Sequence, residues 1–495
     1  MKNINLNIAT SRSKFSFSIV DSVCFMFVLL CPAIICLSGC RKMIEIDMPI
    51  NKYPVEKVFD EKNTAVAALS GVYAVIGSGE GSLMTGDVGL SLRSGFMADE
   101  LSPLVMETVP EYQNVYNAKD GWPIWWMFVY RDYIYQLNTS IIGLENSTKL
   151  ASVDKNILLG EAKFTRAWLY FNLVNFYGGV PIVLTNDFRI NEKIARSPAS
   201  EVYKQIEEDL KFAKLHLTEN YLNRELLDDP QERVRPNKFA ATALLARVYL
   251  YLGRWQEAEQ EADQVISNSA YELLTDLNQV FLKNSKETIW ALQPNVNSFS
   301  GVNTPDAKVL INRWGFLDPD WYLSSLLTSA FEMGDMRKTA WTQEKAAGYI
   351  AYKYKQGYGT SEQTEYTIVL RIAEQYLIRS EARAMQDKLL GDHSAVSDLN
   401  LIRARAGLSE TSAKTRESIL AAISKERQVE LFLEWGDRWL NLKRTGNLNE
   451  VMTEVSKSKG VAWQPYKSLL PIPYDEFKWN PSLRGHQNPG YGEQP

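Results

Sequence analysis

Three glutamates in ERQVELFLEWGDRWLNLKRTG, Glu426, Glu430 and Glu434, recur at four-residue spacing and so share one face of a helix. Carboxylates so placed suit acid–base work if one is held protonated. They suit a structural ion-pair network if arginines intervene, because bare like charges one turn apart repel. Arg427, Arg438 and Arg444 are at hand, which favours the network. Other catalytic signatures are missing from the sequence. His216, His393 and His486 lie far apart, and neither H-E-x-x-H nor G-x-S-x-G is present. The glycine-rich GSGEGSLMTGD, residues 77–87, lacks the Lys-Ser/Thr of a phosphate loop and reads as a flexible loop. Glycoside hydrolysis needs two carboxylates roughly 5 to 9.5 Å apart. The close acidic pairs in loop-like sequence, Asp99-Glu100 and Asp228-Asp229, are chain neighbours, and adjacency does not set two carboxylates across a sugar. We therefore expect no catalytic residue, no metal site and no cofactor.

The four cysteines, Cys24, Cys31, Cys36 and Cys40, all fall in the first 40 of 495 residues. A disulfide framework would need partners that the rest of the chain lacks, and the irregular gaps do not suit zinc. Lys2, Arg12 and Lys14 precede an apolar run from Ser22 to Leu37, and small residues follow, which is the layout of a secretory signal. Leu37-Ser38-Gly39-Cys40 looks like a bacterial lipobox, with cleavage before Cys40 and acylation of its thiol. Residues 1–39 would then be a signal peptide and 40–495 the mature chain. The leader's three positive charges and one negative take the formal charge from −5 to −7. That balance excludes the basic footprint of a nucleic-acid binder.

Aromatic residues are abundant, with 13 tryptophans and 24 tyrosines, and they serve either a core or a ligand surface. Sugar rings stack their C–H faces on aromatic planes while flanking polar groups bond the hydroxyls. EYQNVYNAKDGWPIWWMFVYRDYIYQLN, residues 111–138, splits between the two uses. From Ile124 onward Trp126, Tyr130, Tyr133 and Leu137 recur at helical spacing and read as core. Tyr112, Tyr116 and Trp122 precede that helix in a loop and are candidates for ligand stacking. INRWGFLDPDWYLSS offers a second set: Trp314, Trp321 and Tyr322 beside Asn312, Arg313, Asp318 and Asp320. Trp341 is a weaker candidate.

Helical periodicity must position these loops. The stretch DKNILLGEAKFTRAWLYFNLVNFYGGVPIV keeps charges at Glu161, Lys163 and Arg166, turns apolar nearly all round, and stops at Gly178-Gly179 before Pro181, which predicts a buried helix. ASEVYKQIEEDLKFAKLHL supplies its partner. NKFAATALLARVYLYLGRWQEAEQEADQVI breaks at Gly253 between two helices, with Ala240, Ala243 and Ala246 allowing close approach. A further pair spans VLRIAEQYLIRSEARAMQDKLLGDHSAVSDLNLIRARAGL. These pairs resemble tetratricopeptide units without a strict period, so an interrupted solenoid is expected. Residues 271–366, rich in Asn, Ser, Gly and Pro, form a loop-rich insertion between an N-terminal part, 40–270, and a C-terminal helical part, 367–495. Residues 77–122 have the same character.

Five segments in one order, GEAKFTRAWLYFNLVNFYGGVPIVLT, RPNKFAATALLARVYLYLGRWQEAEQEADQVI, LRIAEQYLIRSEARA with LNLIRARAGL, ERQVELFLEWGDRWLNLKRTG and LLPIPYDEFKWNPSLRGHQNPGY, resemble the SusD/RagB family of outer-membrane lipoproteins that bind glycans or other nutrients. The resemblance implies one mostly α-helical SusD-like domain, in which four tetratricopeptide-like helix pairs form a right-handed superhelical scaffold beneath a variable ligand face. It implies a SusC-like TonB-dependent transporter as partner, packed on the repeat side, and anchorage in outer-membrane lipid through acylated Cys40 at the cell surface. One departure is that Arg41-Lys42 follow Cys40 where family members often carry acidic residues. The competing functions are an all-helical glycoside hydrolase and a tetratricopeptide-type interaction scaffold, the latter leaving the insertions without a task.

Overall fold

The computed structural model describes residues 55–78, 84–105, 109–119, 121, 123, 125–229, 231–295, 302–312 and 315–493. The expected leader and Cys40 lie outside the described residues, as do Trp122, Arg313 and Trp314. Val55–Pro495 clusters as one compact unit.

Helices dominate it. After α1, Lys62–Gly77, and α2, Leu90–Met97, a helical stretch Trp125–Phe128 runs through a π-helical turn, Val129–Ile134, into α3, Tyr135–Asn146. Then follow α4, Ser152–Tyr177; α5, Ala199–His216; α6, Lys238–Tyr251; and α7, Trp255–Ile266. Beyond the insertion come α8, Ile372–Met385; α9, Ala395–Arg405; α10, Arg416–Glu430; α11, Asp437–Arg444; and α12, Leu448–Ser458. Each helix from α4 to α9 packs on the next, so the expected pairs α4–α5, α6–α7 and α8–α9 form one continuous stack.

Local chemistry explains these boundaries. Asn237 caps α6 by accepting from Ala240 N at 3.0 Å, and Gly253, at φ +68°, turns the chain into α7. Ser394 and Ser397 form a reciprocal capping box at the start of α9. α4 is buried almost throughout from Ile157 onward, and its internal charges are paired: Arg166 with Asp209 at 2.8 Å, and Glu161 with Arg235 at 2.7 Å. Gly178 ends α4 at φ +77°. The last carbonyls of α4 are satisfied from distant chain: Lys443 Nζ donates to Asn175 O, Leu470 N to Phe176 O at 2.8 Å, and Asn488 Nδ2 to Tyr177 O at 2.9 Å. Asn488 of the NPGY segment near the C-terminus thereby helps close the longest helix of the stack.

Most of the aromatic wealth is core. Trp125, Trp126, Trp168, Trp290, Trp341 and Trp439 are fully buried. Trp168 of α4 meets Trp290 and Trp435 edge-on at 5.3 and 5.1 Å, joining the helical stack to the insertion and to the turn after α10.

Candidate functional site

Short strands within and flanking the insertion pair across sequence. β1, Leu101–Pro103, runs antiparallel to β3, Trp321–Leu323; β2, Thr288–Leu292, pairs with β6, Thr367–Arg371; and β4, Thr342–Lys345, forms a hairpin with β5, Gly348–Ala351. Pairing of Pro103 with Trp321 and Ser102 with Tyr322 brings the two loop-rich segments onto one face. Leu104 N donates to Asp320 O at 2.7 Å and extends that junction.

Strand alternation divides the candidates. Trp321 is half-buried and leans on Phe96 of α2. Its indole Nε1 is buried and has no hydrogen-bond partner among the described residues. Tyr322 points the other way, buried with Ala307, Ile311 and Ile350. Asn312 is half-buried, and its Oδ1 accepts from Tyr358 N at 3.0 Å. Tyr112 lies buried beneath the Lys459 ammonium, 4.9 Å from the ring centroid, and the buried Tyr116 hydroxyl accepts from Asn114 Nδ2 at 2.9 Å. The exposed apolar side chains of these two segments are ones the sequence reading passed over: Phe316, 80% exposed, and Leu317, Leu104 and Val105. The signal for Phe316 was its place between Gly315, at φ +84°, and the acidic DPD turn. Asp318 reaches the hairpin through Lys345 at 3.5 Å.

The glutamate row is a buried ion network. Glu430 is fully buried and receives Arg337 at 2.9 Å, Arg371 at 2.6 Å, and Arg405. Glu426 takes Arg337 at 2.6 Å, and Glu434 takes Arg371 at 2.7 Å and Lys353 at 2.5 Å. Burial alone would raise the Glu430 carboxyl, yet Arg405, Arg371 and Arg337 hold it well below the usual carboxylate range. A carboxylate so saturated has no proton to exchange near neutrality. Arg427, Arg438 and Arg444, the arginines expected to serve this row, pair elsewhere. Arg427 pairs with Asp437, Arg438 with Asp99 at 2.7 Å and Arg444 with Glu381 at 2.6 Å. The helix stops at Glu430 and the chain turns through Leu433 and Trp435, both at positive φ, so arginines near in sequence are carried elsewhere. Of the acidic pairs, Asp99 and Glu100 are buried, and Asp228 lies in an exposed loop bonded by Asn220 at 2.8 Å. Among the described residues no three His, Cys, Asp or Glu groups are placed to hold a metal ion, and no helix is long and apolar enough to cross a membrane.

Two family models match this chain. One, described as starch-binding and associating with the outer membrane, covers residues 96–250, and that of the SusD family covers residues 321–491. The chain belongs to the SusD/RagB family. Among its SusD-like relatives is SusD-like protein P2 of Formosa agariphila, 28% identical over 68% of this chain and 74% of the relative. SusD-like protein P25 of the same organism is 23% identical over 90% of this chain and 95% of its own. Solved structures share the SusD fold. A SusD superfamily protein from Bacteroides vulgatus superposes with a TM-score of 0.73 at 20% identity, covering 88% of this chain and all of the other. A laminarin-binding SusD-like protein gives 0.71 at 23% identity over 87% of this chain and 99% of its own.

Proposed function

We propose that this SusD-family chain is a lipid-anchored outer-membrane protein that captures glycan, without turnover, and hands it to a SusC-like TonB-dependent transporter. The observation that carries the reading is the insertion face. There half-buried Trp321, held edge-on by Phe96, belongs to a segment that also exposes Phe316 and Leu317, on a scaffold whose other tryptophans largely fill the core. An aromatic plane backed by rigid helices binds a pyranose face with little ordering cost. Anchorage rests on the lipobox at Cys40, and delivery rests on the family. A laminarin-binding member of the same fold makes β-glucans a natural first probe class.

The test is binding of residues 41–495 to an immobilised glycan panel with product analysis of the bound chains. Saturable binding with intact glycan supports capture. Release of shortened chains would replace it with hydrolysis.

A further inference from the structure

A second aromatic surface lies away from the insertions. A cleft of about 770 Å³ opens between the π-helical turn, the connector after α4 and the C-terminal segment, and it shares no residue with the insertion face. Trp126, Tyr130, Tyr135, Phe188 and Trp479 line it. Phe188 is 71% exposed, Trp479 56% and Tyr135 48%. One exposed aromatic is ordinary, but several around a single concavity mark a recognition surface.

The π turn builds this cleft. Tyr135 N donates to Tyr130 O, a bond five residues long. In an α-helix residues five apart diverge by about 140° around the axis. The wider turn instead directs Tyr130 and Tyr135 to the same cleft, while Tyr133 and Ile134 stay buried. Such single π turns gather at functional sites. Tyr130 also fastens the connector, its hydroxyl donating to Pro181 O at 2.6 Å.

The polar groups decide the ligand class. Asn191 Nδ2 donates to Thr185 O at 2.9 Å, and its buried Oδ1 has no hydrogen-bond partner among the described residues. Glu192 and Glu476 add carboxylates to the lining, the latter bonded by Trp126 and pushed up to about 7 by burial. The cations at the rim are engaged, Arg131 by Asp132 at 2.8 Å and Lys478 by Asp475 at 2.7 Å. What the cleft offers is aromatic planes beside oxygen acceptors. An anionic ligand would meet carboxylates, whereas uncharged hydroxyls can donate to Glu192 and, beside the Trp126 bond, to Glu476.

We propose that this cleft is a second glycan site, taking a neutral pyranose chain with its ring faces on Trp479 and Phe188 and its hydroxyls on Asn191 and the flanking carboxylates. The proposal rests on the capture function above.

The experiment titrates the mature chain with maltohexaose, laminarihexaose, cellohexaose and mannohexaose by calorimetry, in wild type, Trp321→Ala, Trp479→Ala/Phe188→Ala, the combined Trp321→Ala/Trp479→Ala/Phe188→Ala and Trp479→Phe. Both cleft side chains are exposed, so an unchanged melting midpoint is expected and verifies folding. The expected result is saturable binding of at least one hexaose by Trp321→Ala, weakened at least tenfold when the cleft substitutions are added and largely kept by Trp479→Phe. Binding abolished by Trp321→Ala alone and untouched by the cleft variant overturns the second site and leaves capture standing. Silence toward every hexaose in wild type overturns both. Unchanged glycan binding with loss of a co-isolated protein partner in the cleft variant overturns the proposal in favour of a docking surface.

Discussion

Trp321 and Phe96 meet edge to face, their ring centroids 5.8 Å apart and their planes at 83°. The contact locks the insertion strand to α2, so the candidate ligand ring is held by the N-terminal half of the chain rather than by its own loop. Phe96→Leu keeps most of the buried volume but removes the edge. It is expected to cost about 1–3 kcal/mol in urea unfolding and to weaken glycan binding as well. Full affinity in a folded Phe96→Leu chain would separate Trp321 from the ligand.

Glu430→Gln leaves Arg337, Arg371 and Arg405 around a neutral amide in a buried site. The expected loss is about 3–5 kcal/mol of stability, read from the urea midpoint, because uncompensated buried charge is costly. A variant as stable as wild type would show that the network is not structural.

Glu100 lies buried between α2 and β1, and burial first, then neighbouring Asp99, pushes its carboxyl up to about 8 from the ordinary 4.5. Below pH 4.5 both states hold the proton, and the contribution of this group to stability is full. As pH climbs to 8 the unfolded chain has released its proton while the folded chain keeps it, so that contribution is lost. Glu100→Gln, permanently neutral, is expected to flatten the fall in stability between pH 5 and pH 8. Parallel pH profiles for the two proteins would contradict the raised value.

Asn488 is 2% exposed and donates to both Tyr177 O and Leu470 O at 2.9 and 2.7 Å. Asn488→Ala strips the side-chain donor from the Leu470 carbonyl and leaves the Tyr177 carbonyl, at the end of α4, to Arg196 alone. A loss of about 1–3 kcal/mol, seen as a lower thermal midpoint, is expected. An unchanged midpoint would mean that other donors close α4.

The helical scaffold was legible because its signals are local: the apolar run of α4, its glycine stop, and the alanine spacing of α6 all act within a few turns. The π turn was not, since the spacing of Trp126, Tyr130 and Tyr133 reads as an ordinary α-helix and only the backbone bond from Tyr135 to Tyr130 distinguishes it. The ion network was foreseen at Glu426, Glu430 and Glu434. Its cations, Arg337, Arg371, Arg405 and Lys353, come from distant segments that no spacing rule connects. The candidate ligand face was legible as loop-rich sequence, but the β1–β3 pairing that turns Tyr322 toward Ile311 and Ile350 and sets Trp321, half-buried, against Phe96 depends on register across more than 200 residues, as with Leu101 and Leu323.

The most direct test of glycan capture is equilibrium titration of residues 41–495 with laminarihexaose and maltohexaose, followed by tryptophan fluorescence, in wild type, Trp321→Phe and Trp321→Ala. Capture at the insertion face predicts saturable binding in wild type, a small loss in Trp321→Phe and at least a tenfold loss in a folded Trp321→Ala. Equal affinity in all three proteins would contradict it.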